Sequence, residues 1–174
     1  LTIPCGVNQN RNINEVLITD NSWKKKHFEL ISVAYKNSKY FNHYIDFFFD
    51  FYINKKLENL SLINKYLIKN ISKKFLNINT KFYDVEQLKI KSKKQTKVID
   101  ICKKVSATKY LSGPSGQNYL KMKDFEKEGI ILEYFNYGPY LKYNQFSHKF
   151  SDNISILDLL FNVGPDAKNF IKSQ

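Results

Sequence analysis

The segment that most constrains this chain is Ala107 to Leu120, which reads Ala-Thr-Lys-Tyr-Leu-Ser-Gly-Pro-Ser-Gly-Gln-Asn-Tyr-Leu. A β-prone run, Thr108 to Leu111, stops at Ser112-Gly113-Pro114-Ser115-Gly116, and a helix-compatible stretch follows. In an open α/β sheet, ligands bind beyond the carboxyl ends of the strands. Glycines there let backbone N–H groups approach a phosphate, carboxylate or carbonyl, and a following helix N-terminus adds favourable partial charge. The hydroxyls of Ser112 and Ser115 can bond a ligand or cap the helix. The same residues also make an ordinary Gly-Pro turn that closes a strand. The spacing matches neither a P-loop nor a dinucleotide fingerprint, so the loop alone names no ligand.

Around this segment, strand and helix signals alternate. Glu15 to Thr19 predicts a strand, and Asp20-Asn21-Ser22 supplies capping chemistry for a helix from Trp23 to about Lys36. On that helix Trp23, His27, Leu30 and Ala34 share one face. A helix over Lys39 to Ile53 carries an aromatic face of Tyr40, Tyr44, Phe47, Phe48 and Phe51. A third, over Leu57 to Phe75, places Leu60, Ile63, Leu67, Ile71 and Phe75 on a stripe. Thr80 to Val85 predicts another strand, and a lysine-rich link, Lys89 to Lys97, leads into a helix ending near Ser106. A short helix over Lys123 to Glu128 closes on Gly129, and Ile130 to Phe135 is a strong strand signal. A turn at Tyr137 to Tyr140, an apolar helix over Ser155 to Asn162, and a tail helix from Asp166 complete the chain.

This order predicts a single α/β domain over residues 1–174, with a partly parallel (mixed) sheet flanked by helices in a Rossmann-like three-layer arrangement. The chain opens on Leu1-Thr2-Ile3-Pro4, which reads as the middle of a strand. The expectation is an N-terminal truncation that removes the first strand.

An apolar fraction of 43% and an aromatic fraction of 16% exclude a disordered chain. No apolar run approaches the ~20 residues of a membrane span; the longest, Tyr44 to Ile53, is broken by Asp46 and Asp50. The net charge of +12 invites a nucleic-acid or anionic-membrane partner. Arg11 is the only arginine, however, and arginine is the usual reader of bases and clamp of phosphates. Lysines spread along helices also make a plain solvated face. Cys5 and Cys102 lie in no metal or redox spacing, and Cys102 falls on an apolar stripe with Val98, Ile101 and Val105. Reduced thiols in a cytoplasmic protein are expected. His27, His43 and His148 show no zinc-ligand spacing, so no metal is expected.

His27 begins a helix just after a strand and is the best-placed general acid or base, although a histidine on an apolar face also serves as a hydrogen-bonded core residue. Lys24 can hold a phosphate or carboxylate. Asp158 and Asn162, four residues apart, are the polar positions of an apolar helix. An unpaired carboxylate there is costly, so Asp158 should have a partner: His27 or another group that it orients, or a backbone that it caps. Tyr137, Tyr140 and Tyr143 can stack on a base or sugar or simply pack.

Four stretches, taken in order, resemble the WbqC-like family, found among bacterial genes for O-antigen (lipopolysaccharide) and other surface polysaccharides. They are Leu1 to Pro4, Asn21 to His27, Ile99 to Cys102 leading into Ala107 to Gly116, and Ser155 to Pro165. Family members open with a strand and a Gln-Pro-x-Tyr-x-Pro-Trp type segment that does not occur here. The resemblance implies transfer of an aminoacyl group, glycyl among the candidates, to an amino sugar on a nucleotide carrier. It casts His27 as base or sugar anchor, with Ser112 and Asp158 completing the catalytic set. Gly113, Ser115 and Gly116 would bind phosphate or oxyanion, beside Trp23, Lys24, Tyr119, Tyr137 and Asn162 as substrate contacts. ATP, a carrier protein and an aminoacyl-tRNA all remain open as the means of activation. The alternatives are a non-catalytic basic module for nucleic acid or anionic membrane, and an ATP-using sugar-modifying enzyme.

Overall fold

A computed structural model of the protein describes residues 1–8, 10–146 and 149–171. In chain order its elements are α1 (Ser22–Tyr35), α2 (Phe41–Phe49), α3 (Leu60–Asn70), α4 (Lys94–Lys104), β1 (Lys109–Ser112), α5 (Met122–Glu126), β2 (Ile131–Tyr134) and α6 (Ile156–Val163). They fall into two compact units. One comprises Leu1–Asn79 and Tyr140–Ile171, the other Thr80–Pro139.

The first unit is helical. Asp20 starts α1 by accepting from both the backbone N–H and the hydroxyl of Ser22, each at 2.8 Å. The buried face of α1 is Trp23, His27 and Ile31; Leu30 and Ala34, expected on that face, point to solvent. Helix α2 runs into a π-helical turn, Asp50–Asn54, whose extra residue per turn buries the neighbours Phe51 and Tyr52 together. Helix α3 begins on the Asn59 side chain, which accepts from Leu62 N–H at 3.2 Å, and ends in a second π-helical turn, Ile71–Phe75. Helix α6 begins on Ser155, whose hydroxyl accepts from Leu157 N–H at 3.3 Å. Phe161 of α6 is completely buried and stacks on Tyr35, ring centres 4.9 Å apart. Tyr44, Phe48, Ile63 and Leu160 close this core, each worth roughly 1.5–3 kcal/mol of burial.

Two expected strands do not form. Asn12 and Glu15 build a capping box around a 3-10 turn, Ile13–Glu15, leaving the Glu15 to Thr19 segment a single antiparallel bridge, Leu17 to Asn59. At Thr80 to Val85 the Asp84 carboxylate accepts from Glu86 N–H at 3.1 Å, and its carbonyl accepts from Gln87 N–H at 3.0 Å. That local turn replaces strand pairing.

The second unit holds a parallel pair in which Lys109 to Ser112 of β1 face Ile131 to Tyr134 of β2. Its core is Ile99 and Cys102 of α4, Phe125 of α5, and Leu120, Ile130 and Leu132. Tyr110 of β1 stacks on Phe125, ring centres 5.8 Å apart. Gly129, at φ +69, turns the chain from α5 into β2. Burial pushes the Cys102 thiol up, making it an inert core side chain. With helices flanking a two-stranded parallel sheet, the α/β class holds, on a narrower sheet than a three-layer arrangement carries.

Candidate functional site

In the second unit the chain leaves the carboxyl ends of both strands side by side. Gly113 follows β1, while Phe135 follows β2 and donates its N–H to the Ser112 carbonyl at 2.7 Å. The Ser-Gly segment is a 3-10 turn, Pro114–Asn118, closed by Gly116 N–H to the Gly113 carbonyl at 3.0 Å. Ser112 is buried and turned inward: its hydroxyl donates to the Gly113 carbonyl at 3.2 Å. A methyl group on Gly116 would collide with that hydroxyl, so the glycine is required by the serine that supports the loop. Ser112 is thus the loop's internal support. The outward groups are Ser115, Tyr119 (65% exposed) and Tyr137 (66% exposed). The Tyr137 hydroxyl stands 3.2 Å from where a side chain on Gly113 would begin. Glycine at 113 therefore lets the aromatic residue lie close over the backbone.

In the first unit His27 sits at the centre of an aromatic cluster. Its ring packs edgewise on Trp23 (5.1 Å) and Tyr52 (5.9 Å), which pack on each other at 6.0 Å. His27 Nε2 lies 3.1 Å from the Thr2 carbonyl. A carbonyl only accepts, so Nε2 carries the hydrogen and Nδ1 keeps its lone pair. Burial holds the imidazole below its ordinary pKa, against the opposing pull of the Thr2 carbonyl. A neutral base with one nitrogen fixed is the result. Burial pushes the Tyr52 phenol up to about 12, keeping it a hydrogen-bond donor. Tyr52 also lines a cleft of about 500 Å³ between α2, α3 and the start of α6, within the range of small-molecule sites. The Trp23 Nε1–H is buried without a partner among the described residues. Lys24 donates to the Lys55 carbonyl at 3.1 Å, which ties α1 to the end of the π-helical turn.

Asp158, half-buried on α6, is held by a tyrosine. Tyr143 donates to its Oδ2 at 2.9 Å, and the Tyr35 phenol stands near enough to the same carboxylate for its charge to help hold the phenol protonated. Asn162 donates to the Asp158 backbone carbonyl at 2.9 Å. Among the described residues no hydrogen bond or ion pair joins Asp158 to His27. Tyr35 and Tyr52 are members of this chemistry that the sequence reading passed over. The α1 face was read one position off, which hid Tyr35, and the π-helical turn breaks the 3.6-residue period just before Tyr52. His148 lies outside the described residues. No group of three or more His, Cys, Asp or Glu able to hold a metal occurs among the described residues, and no helix there is long and apolar enough to cross a membrane.

The geometry describes an α/β protein with a glycine-built loop at its strand ends and a buried neutral histidine. The WbqC-like protein family matches residues 1–170. The uncharacterized protein Rv1507c of Mycobacterium tuberculosis is 30% identical over 174 residues, a match covering 99% of this chain and 75% of that relative. The chain belongs to the WbqC-like family. No solved structure matches it.

Proposed function

We propose that this protein is a cytoplasmic transferase of bacterial surface-polysaccharide assembly, moving an aminoacyl group, glycyl first among the candidates, onto an amino sugar carried on a nucleotide. The observation that carries the reading is the neutral, buried His27, with Nε2 committed to Thr2 and Nδ1 free to accept a proton. In such a reaction the sugar amine attacks the acyl carbonyl and loses its proton to a base. The tetrahedral oxyanion then collapses to the amide and expels the carrier oxygen. His27 supplies the base, and Trp23 and Tyr52 wall the imidazole and keep it neutral. Asp158 acts as a positioning residue through Tyr35 and Tyr143, near Asn162.

In the second unit, the Ser112 to Gly116 turn offers a backbone N–H to a phosphate, the Gly116 N–H being held by the Gly113 carbonyl. Pro114 has no N–H, so Ser115 offers the first donor of the turn. Exposed Tyr119 and Tyr137 of the same unit suit stacking on the base or sugar; in the first unit Lys24 is assigned to an anionic group of a substrate.

Mass spectrometry tests the reading. Nucleotide-linked amino sugars are incubated with the protein, glycine, ATP and charged tRNA, omitting one donor at a time. A product heavier by one glycyl unit, lost in His27→Ala and retained in Lys25→Ala, is expected. Transfer that survives His27→Ala removes the histidine from the chemistry.

A further inference from the structure

We propose that the lysine-rich face of the second unit, Lys89 to Lys97 with Lys121 and Lys123, docks the protein on an anionic lipid bilayer surface. From Lys89 to Lys97 five lysines fall within nine residues and no acidic residue intervenes. Lys89, Lys91, Lys93 and Lys94 are exposed. Gln95 binds this segment to the start of α5: its Oε1 accepts from Lys121 N–H at 2.6 Å, and its Nε2 donates to Asp124 Oδ2 at 2.7 Å. Exposed Lys121 and Lys123 are thereby drawn beside the first turn of α4.

Other lysines of this unit are neutralised. Lys103 pairs with Glu128 at 2.6 Å, Lys109 with Glu133 at 2.7 Å, and Lys127 with Asp124 at 3.5 Å. Among the described residues no such ion pair involves Lys89, Lys91, Lys93, Lys94, Lys97, Lys121 or Lys123. Of the carboxylates closest in the chain, Asp84 accepts from Glu86 N–H at 3.1 Å, Glu86 stands exposed ahead of Lys89, Asp100 accepts from the Ser92 hydroxyl at 2.5 Å, and Asp124 is held by Gln95 and Lys127. Glu126 stands exposed on α5. Apart from Lys81 and Lys104, the lysines of this unit without such a pair are therefore those of the Lys89 to Lys97 run and the two that Gln95 draws toward it.

Apolar side chains stand beside it. Met122, between Lys121 and Lys123, is 49% exposed, and it lines a cleft of about 330 Å³ together with exposed Ile131 and with Glu126, the one acidic residue of the lining. Lysines at headgroup level around an apolar side chain that reaches the acyl boundary are the chemistry of an anionic bilayer surface. Nucleic acid matches the charge alone. The Lys89 to Lys97 segment has no arginine to clamp phosphates or read bases and no aromatic residue to stack.

The test is independent of the transfer reaction. The protein is sedimented with vesicles of phosphatidylcholine alone, or of phosphatidylcholine with phosphatidylglycerol, over a salt series; a folded tRNA is titrated separately. Binding is expected only where phosphatidylglycerol is present, weakening steeply with salt. Lys93→Ser, Lys94→Ser and Lys121→Ser should each weaken it roughly fivefold. Met122→Ser should weaken it at unchanged salt dependence, and all four variants, being exposed, should melt as the parent does. Absence of binding, binding indifferent to these lysines, or tighter binding to tRNA than to the vesicles would overturn the proposal.

Discussion

Tyr143 donates its phenolic hydrogen to Oδ2 of Asp158 across 2.9 Å, and the Tyr35 phenol of α1 stands near the same carboxylate. One carboxylate thus ties α6 to the segment that precedes it and faces α1. Tyr143→Phe removes the donor and should cost about 1 kcal/mol in urea unfolding. Asp158→Leu strands the Tyr143 hydroxyl and should cost about 1–3 kcal/mol. In a double-mutant cycle Tyr143→Phe and Asp158→Leu should be non-additive; additive losses would show that the bond contributes nothing to stability.

Buried phenols should make the protein sensitive to alkali. Burial pushes both Tyr35 and Tyr52 up to about 12, above the ordinary tyrosine value of about 10. In that window the folded state holds protons that the unfolded chain has lost, so stability falls as pH rises from about 10 toward 12 and is unaffected below. The part of the tyrosinate absorbance that Tyr35→Phe and Tyr52→Phe remove should appear together with the loss of helical circular dichroism. Tyr52→Phe should lessen the pH slope. A phenolate signal from these two residues that precedes unfolding would refute this account.

The elements were legible where local chemistry and burial agree. The aromatic pattern of α2, the stripe of α3, the apolar run of α6 and the β1 and β2 runs all match the elements found. The failures have local causes. Asp84 and the Asn12–Glu15 pair satisfy backbone groups with side chains, and this competes with strand pairing in a way that hydrophobic alternation does not register. The loop glycines were legible as a loop. That Gly116 exists to admit the Ser112 hydroxyl was not, because the serine's inward rotamer depends on Leu120 and the sheet packed around it. The partner of Asp158 was likewise hidden, since Tyr35 and Tyr143 converge on it from distant parts of the chain.

Acid should act through His27. Burial holds its pKa below the ordinary histidine value of about 6.5, so the unfolded chain takes up a proton that the folded state resists. Stability contributed by this group is complete above about pH 6.5 and declines as pH falls through the depressed folded value. His27→Leu should flatten that part of the pH–Tm curve, while costing about 1–2 kcal/mol at neutral pH for the lost Thr2 bond and altered packing. Nitrogen-detected NMR should find the hydrogen on Nε2 at pH 7; a hydrogen on Nδ1 would remove the lone pair assigned to proton transfer.

Two glycines of one loop should respond very differently to the same methyl group. On Gly116 a Cβ meets the Ser112 hydroxyl, with Ser112 Cβ at 3.1 Å and Leu120 Cδ1 at 3.2 Å. Both neighbours are buried and have nowhere to move, so Gly116→Ala should cost about 1–3 kcal/mol. On Gly113 the Cβ meets only the Tyr137 hydroxyl at 3.2 Å, the far end of an exposed side chain that can swing away. Gly113→Ala should stay within about 0.5 kcal/mol of the parent. Ser112→Ala deletes the colliding hydroxyl, so Ser112→Ala with Gly116→Ala should be more stable than Gly116→Ala alone, with the 3.1 Å contact to Cβ keeping the rescue partial. Chemical denaturation of the four proteins decides it: equal losses at 113 and 116, or no rescue by Ser112→Ala, would mean that the Ser112 hydroxyl does not pack against Gly116.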